Sequence, residues 1–361
     1  MKRIAAVFVA VGVITLASCG GGNSENRTSG GNPAATVGTV AVAGANQFAT
    51  FLASTAGTTQ AAPASPISMP SSAVSCAADI ANASVLVAYN NLTLVSFVVN
   101  KDSSATLNTT TLLSGAPGPM AEAGGRLIYA ATTSGVVSQF GIASLNASGQ
   151  LQTLPNQLIS TPLLDVVAHP NGQMLVESQN PAALQAFSIN ATSGQLTALT
   201  PPLAGIGGSE VRSTAFVQGG AFLVVAEGAA NSNVDVVSVN PTSGALLRLN
   251  SPLSVPGALF LAAHPNGHII YALGQNAITV LNVDATGVLT RVTNPTPLPA
   301  GVSATAATVD RAGTTLWVSG TNGSGTGVLL SFGADANTGI LTGTPLATTT
   351  LNFQPVCVFV K

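Results

Sequence analysis

Leu163-Leu-Asp-Val-Val-Ala-His-Pro-Asn-Gly172, followed by Gln173-Met-Leu-Val-Glu177, reads as a strand, a tight turn and a second strand. Pro-Asn-Gly is a strong turn signal because Asn and Gly accept the positive φ that a hairpin requires. The chain then runs through Leu184-Gln-Ala-Phe-Ser-Ile189, turns at Asn190-Ala-Thr-Ser-Gly194 and finishes with Gln195-Leu-Thr-Ala-Leu199. Short apolar runs between Asn, Gly and Pro turns describe a four-stranded antiparallel meander. The first turn glycine recurs as Gly125, Gly172, Gly220, Gly267 and Gly313, at spacings of 47, 48, 47 and 46 residues. A second marker recurs at Gly57, Gly149, Gly194, Gly244, Gly287 and Gly339, with Ser104 in its place in one unit. Regular self-similarity of this length is the signature of stacked equivalent modules.

One such sheet would expose both faces and two edges, so the units are expected to pack face to face around an axis. Thr39–Gly57 matches the second and third strands of a unit, and Phe353–Val360 matches a first strand with nothing after it. Together they are expected to make one composite blade. With units beginning near Ser71, Pro119, Thr161, Arg212, Gly257 and Ser303, the reading is an all-β, seven-bladed β-propeller over residues 37–361.

The N-terminus carries Lys2-Arg3, an apolar stretch from Ile4 to Leu16, and then Leu16-Ala17-Ser18-Cys19. That apolar stretch suits an export signal rather than a spanning helix, which needs about 20 apolar residues. Leu-Ala-Ser-Cys resembles the lipobox of bacterial lipoproteins. The resemblance implies a signal peptide at 1–18 and a lipidated Cys19, with a membrane partner reached through the acyl chains. Gly20 stands where an Asp would suggest inner-membrane retention, which leans towards the outer membrane of a bacterial envelope, facing the periplasm or the surface. The glycine-rich polar stretch after Cys19, within 19–36, reads as a tether with a root-mean-square span of roughly 20–25 Å.

Charged residues make up 6% of the chain and hydrophobic ones 46%. Loss of Lys2 and Arg3 leaves 8 basic against 12 acidic side chains. No basic patch is available for nucleic acid. With so few carboxylates, stability is expected to vary little between about pH 4 and 7. Once Cys19 is assigned to lipid, Cys76 and Cys357 are the remaining thiols in an oxidising compartment. Both fall on first strands of units that neighbour each other in a ring, so a disulfide is expected, with two separate buried thiols as the alternative.

The repeat, with His-Pro-Asn-Gly twice and strands such as Ile270-Tyr-Ala-Leu273, resembles the seven-bladed lactonase-like propellers that include bacterial 6-phosphogluconolactonases. Active members carry Pro-Arg-His before the first strand of one blade and Asn-Glu after its second. The matching segments here are Glu210-Val-Arg212-Ser213 and Val224-Val-Ala-Glu227, with Ser213 in place of the His. The resemblance implies that Arg212 holds a lactone carbonyl and that Glu227 activates water, with Glu210 or Glu177 substituting for the imidazole. The alternative is an Arg212–Glu227 ion pair with no chemistry. His169 and His264 repeat at equivalent turns, which points to turn geometry, and Asp335-Ala-Asn-Thr-Gly339 likewise reads as a turn. Neither HExxH, CxxC, GxSxG nor a phosphate-binding GxxxxGK is present, and no metal or cofactor is expected. The leading expectation is a monomeric binding module for an unknown protein or glycan, and the other is a hydrolase acting on a small lactone.

Overall fold

The computed structural model describes residues 36–79, 84–113, 115–123, 126–133, 137–145, 151–159, 163–179, 183–206, 211–227, 233–249, 252–274 and 276–361. Those residues form seven antiparallel sheets and one 3-10 turn, Gln218–Gly220. Sheet 1 runs Ala73–Asp79, Ser84–Tyr89, Thr93–Val99, Ala105–Leu112. Sheet 2 runs Ala116–Glu122, Arg126–Thr133, Val137–Leu145, Leu151–Ile159. Sheets 3, 4 and 5 begin with Leu163–Ala168, Val211–Val217 and Phe260–Ala263, and each ends in a split outer edge of two short strands. Sheet 6 starts at Ser303–Val309 and ends at Ala347–Leu351. In sheet 7 the last strand of the chain, Pro355–Val360, pairs with Thr36–Gly44, which pairs with Gln47–Ser54.

The first strands of successive sheets pack against one another in chain order, and Pro355–Val360 touches the first strands of both sheet 6 and sheet 1. Alternation along each strand sends one set of side chains to each neighbouring sheet. In sheet 4, Val211, Val225 and Val237 join a core with Val176 and Leu184 of sheet 3, while Val224 and Val236 join one with Ile270 and Ala272 of sheet 5. The core is thus a series of slabs between sheets, and no sheet is stable without its neighbours.

Pairing between first and second strands slips at one recurring place. Val74, Leu164, Arg212, Thr305 and Val356 each stand as an extra residue between two paired positions. The residue after this bulge reaches across to the next sheet. Asp165 Oδ2 accepts from the Thr214 backbone N–H at 2.8 Å, and Ser213 Oγ accepts from Leu261 N–H at 3.1 Å. Cys357 occupies that same position in sheet 7, and it is joined to Cys76 of sheet 1 by a disulfide with Cα atoms 6.4 Å apart. The expected disulfide is therefore the covalent form of a contact that other sheet pairs make by hydrogen bonding, and the reading of two separate thiols is set aside.

The turns follow the chemistry of their residues. Asn190 Oδ1 accepts from the N–H groups of Thr192 and Ser193, and Asp335 Oδ1 accepts from those of Asn337 and Thr338. The unit in which Ser104 was aligned with the second glycine marker places its positive φ one residue earlier, at Ser103, where φ is 66°. Asp102 supports that turn by accepting from Ser104 N–H and Oγ–H.

Candidate functional site

Arg212 and Glu227 come from adjacent strands of sheet 4 and lie at one end of it. Val211, the neighbour of Arg212, is the register partner of Glu227. Arg212 is the bulge residue of the innermost strand and is half-buried, whereas Glu227 closes the second strand and is fully buried. Glu227 shares its face with Val211 and Val225, so its carboxylate enters the slab between sheets 3 and 4.

There it meets charges that the sequence reading did not single out. Asp235 pairs with Val225 and Arg248 with Val237, which puts both side chains on the same face as Glu227. Arg248 Nη2 lies 2.6 Å from Asp235 Oδ2 and 3.6 Å from Glu227 Oε1, and Asn233 Nδ2 donates to Glu227 Oε2 at 3.3 Å. Arg248 Nη1 also donates to the carbonyl of Gly205, beside the outer edge of sheet 3, at 3.3 Å. Two buried carboxylates thus share one guanidinium. Burial, reinforced by Asp235, raises the Glu227 pKa to about 7 in spite of Arg248. The cation facing Glu227 is therefore Arg248, and the simple Arg212–Glu227 ion pair is replaced by a four-residue group across three strands.

Asp165, on the innermost strand of sheet 3, is another buried acid. It accepts from Val166 N–H, Thr214 N–H and Thr214 Oγ–H, three bonds that favour the anion. Desolvation outweighs them and lifts its pKa to about 6.

The two turn histidines are structural, as the repeat implied. His264 Nδ1 accepts from Asn266 N–H at 3.1 Å, which leaves Nε2–H to donate to the Gly313 carbonyl of the next sheet at 2.9 Å. His169 Nδ1 accepts from Asn171 N–H in the same way, and its ring lies against Gly220 of the next sheet. Burial holds its pKa below the usual imidazole range, so it packs as the neutral form.

Of the remaining expected site residues, Glu210 and Cys19 lie outside the described residues, and Glu177 is placed by its backbone alone, in the strand Met174–Gln179. What sequence reasoning missed was Asp165, Asp235 and Arg248. A signal was present: a charge interrupting an apolar alternation, as in Asn233-Val-Asp-Val-Val-Ser-Val239, is unusual in a chain that is 6% charged.

The overall arrangement has close counterparts among solved structures. A 6-phosphogluconolactonase-like protein of Bacteroides uniformis superposes with a TM-score of 0.72 at 17% identity, covering 90% of this chain and 99% of that one. Its counterpart from Bacteroides fragilis gives 0.72 at 18%, covering 91% and 100%. The periplasmic gluconolactonase of Pseudomonas aeruginosa gives 0.72 at 16%, covering 90% and 98%. The shared feature is the fold. No protein-family model and no curated protein matches the sequence, and at these identities the likeness carries the architecture alone.

Proposed function

We propose that the chain is a seven-bladed, lipid-anchored lactone hydrolase of a bacterial cell envelope, with Arg212 and Glu227 as its chemical pair. The single observation behind this reading is Glu227, a carboxylate whose proton affinity is raised to about 7 at the end of sheet 4 where Arg212 also stands. Such a group takes and returns a proton at neutral pH, the requirement for a general base. Arg212 supplies the fixed positive charge for the oxyanion that forms as water adds to the lactone carbonyl. Water loses its proton to Glu227 and forms the new C–O bond. The ring C–O bond then breaks, and the proton passes to the departing alkoxide, giving a hydroxy acid.

Other observations support the setting. Among the described residues, the first strands of successive sheets touch in chain order, and Thr36–Gly44 and Pro355–Val360 share sheet 7. One structural neighbour is described as a periplasmic gluconolactonase, which agrees with the export signal and Cys19 as an anchor. Sugar phosphate lactones suit this chain poorly, because its 8 basic residues outside the signal offer little anion-binding capacity.

A lactone panel with pH-indicator detection tests the proposal. Hydrolysis should be lost in Arg212→Ala and in Glu227→Gln, and kcat/KM should rise with pH through about 7 as Glu227 loses its proton. Inertness towards every lactone would reject it. The second reading, a binding module, is favoured by the complete burial of Glu227 and its engagement with Arg248 and Asn233.

A further inference from the structure

Five residues of the innermost strands are bulge residues, Val74, Leu164, Arg212, Thr305 and Val356. Leu259 completes the set in sheet 5. It precedes Phe260, whose register partner is Leu273, and its own N–H also donates to the Leu273 carbonyl, the doubled contact of a bulge. All six are half-buried. Apart from the half-buried Leu163, the residues flanking them in the strands are buried, among them Ala73, Ser75, Asp165, Val211, Ser213, Phe260, Ala306 and Cys357.

An innermost strand is covered on both faces by adjacent sheets and along its outer edge by the second strand. Solvent reaches these positions from the axis of the ring. Because the slip occurs at the same register in six of the seven sheets, sheet 2 slipping instead beside Tyr129 and Ala131, the six side chains stand at one level and form a collar. Four are aliphatic, one is a threonine, and one is a guanidinium. A sugar site would present carboxylates and amides to hydroxyl groups, whereas this collar presents methyl groups around a single cation.

From this arrangement we infer that the ring takes a lactone carrying an aliphatic chain, with the carbonyl at Arg212 and the chain along Leu164, Leu259, Val74 and Val356. The inference rests on the hydrolase reading for the reaction, and on the collar alone for the ligand class. Binding an aliphatic chain here removes apolar surface from water on both partners, and each methylene buried should tighten binding by up to about fourfold.

The test measures KM for γ-butyrolactone, γ-hexalactone, γ-nonalactone and glucono-δ-lactone, together with calorimetric binding of decanoate to the same protein. KM should fall stepwise with chain length, and decanoate should bind. Both effects should weaken at least tenfold in Leu164→Asn/Leu259→Asn and strengthen in Thr305→Val, with far-UV circular dichroism confirming the fold. Thr305→Val keeps the side-chain volume, so it reports on the collar even where the double variant does not fold. Decanoate binding without turnover of any lactone would support the collar and reject the hydrolase. Turnover of glucono-δ-lactone with indifference to chain length would support the hydrolase and overturn the collar. Neither binding nor turnover would overturn both.

Discussion

Raising the pH from about 4 to about 7 should destabilise this protein, and Asp165 provides the quantity to work from. Its pKa moves from 3.8 to about 6 on folding because burial costs the anion more than its three hydrogen bonds return. Between those two values the folded state holds a proton that the unfolded chain has released, so the unfolding free energy falls as pH rises. A shift of about two units corresponds to roughly 3 kcal/mol, present in full below the unfolded value and absent above the folded one. Glu227 acts with the same sign between its ordinary value and about 7, while His169, held by burial below the usual imidazole range, acts with the opposite sign just below that range and offsets part of the fall. Asp102, Asp284 and Asp335 have pKa values lowered by their turn hydrogen bonds, and their contribution is lost only as pH falls through the depressed values, outside this window. Few carboxylates therefore do not make a flat profile, because those that matter are buried. Urea unfolding at intervals of half a pH unit measures the effect, comparing the wild type with Asp165→Asn, which cannot ionise. The variant should show a visibly shallower slope. Identical slopes in the two proteins, or a wild-type stability that increases from pH 4 to 7, would refute the reasoning.

Reduction of Cys76–Cys357 opens a loop of 281 residues, and the chain-entropy model gives a loss of about 5 kcal/mol. Urea midpoints of Cys76→Ser/Cys357→Ser should fall accordingly, and an unchanged midpoint would show that pairing of the strand Pro355–Val360 closes sheet 7 without help. Arg248→Met removes the cation between two buried carboxylates and should cost on the order of 3 kcal/mol at pH 8, with part recovered at pH 5 as Glu227 takes up a proton. An equal loss at both pH values would argue against that charge group. Gly313→Ala places a Cβ 2.5 Å from the His264 ring at a φ of 71°, so it should destabilise by about 1–3 kcal/mol. Gly343→Ala, where no atom lies within 4 Å of the added Cβ, is the matched control in the same melting experiment.

The elements that could be read from the chain are those fixed by neighbours in sequence. Asn190-Ala-Thr-Ser-Gly194 turns because Asn190 bonds the N–H groups two and three residues later, and that information is local. The apolar alternation of Val234, Val236 and their counterparts gave the strands, and Thr39–Gly57 together with Phe353–Val360 gave the composite sheet, because strand order in a meander follows chain order. Cys76 and Cys357 could be matched for the same reason: equivalent positions in adjacent units are neighbours wherever the units stack.

Tertiary structure alone decided which side chains meet across strands. A bulge adds one residue and reverses the in–out parity of everything beyond it, so alternation could not say which face Arg212 takes or that Ser213 and Asp165 cross to the next sheet. Glu227, Asp235 and Arg248 lie on three strands, and their convergence depends on a register that no local pattern encodes. Turns and strands need only short-range chemistry, whereas a charge group in a slab exists only after the sheets have packed. The sequence by itself therefore determined the repeating frame of this protein, and the packing of sheet against sheet decided where its few charges could act.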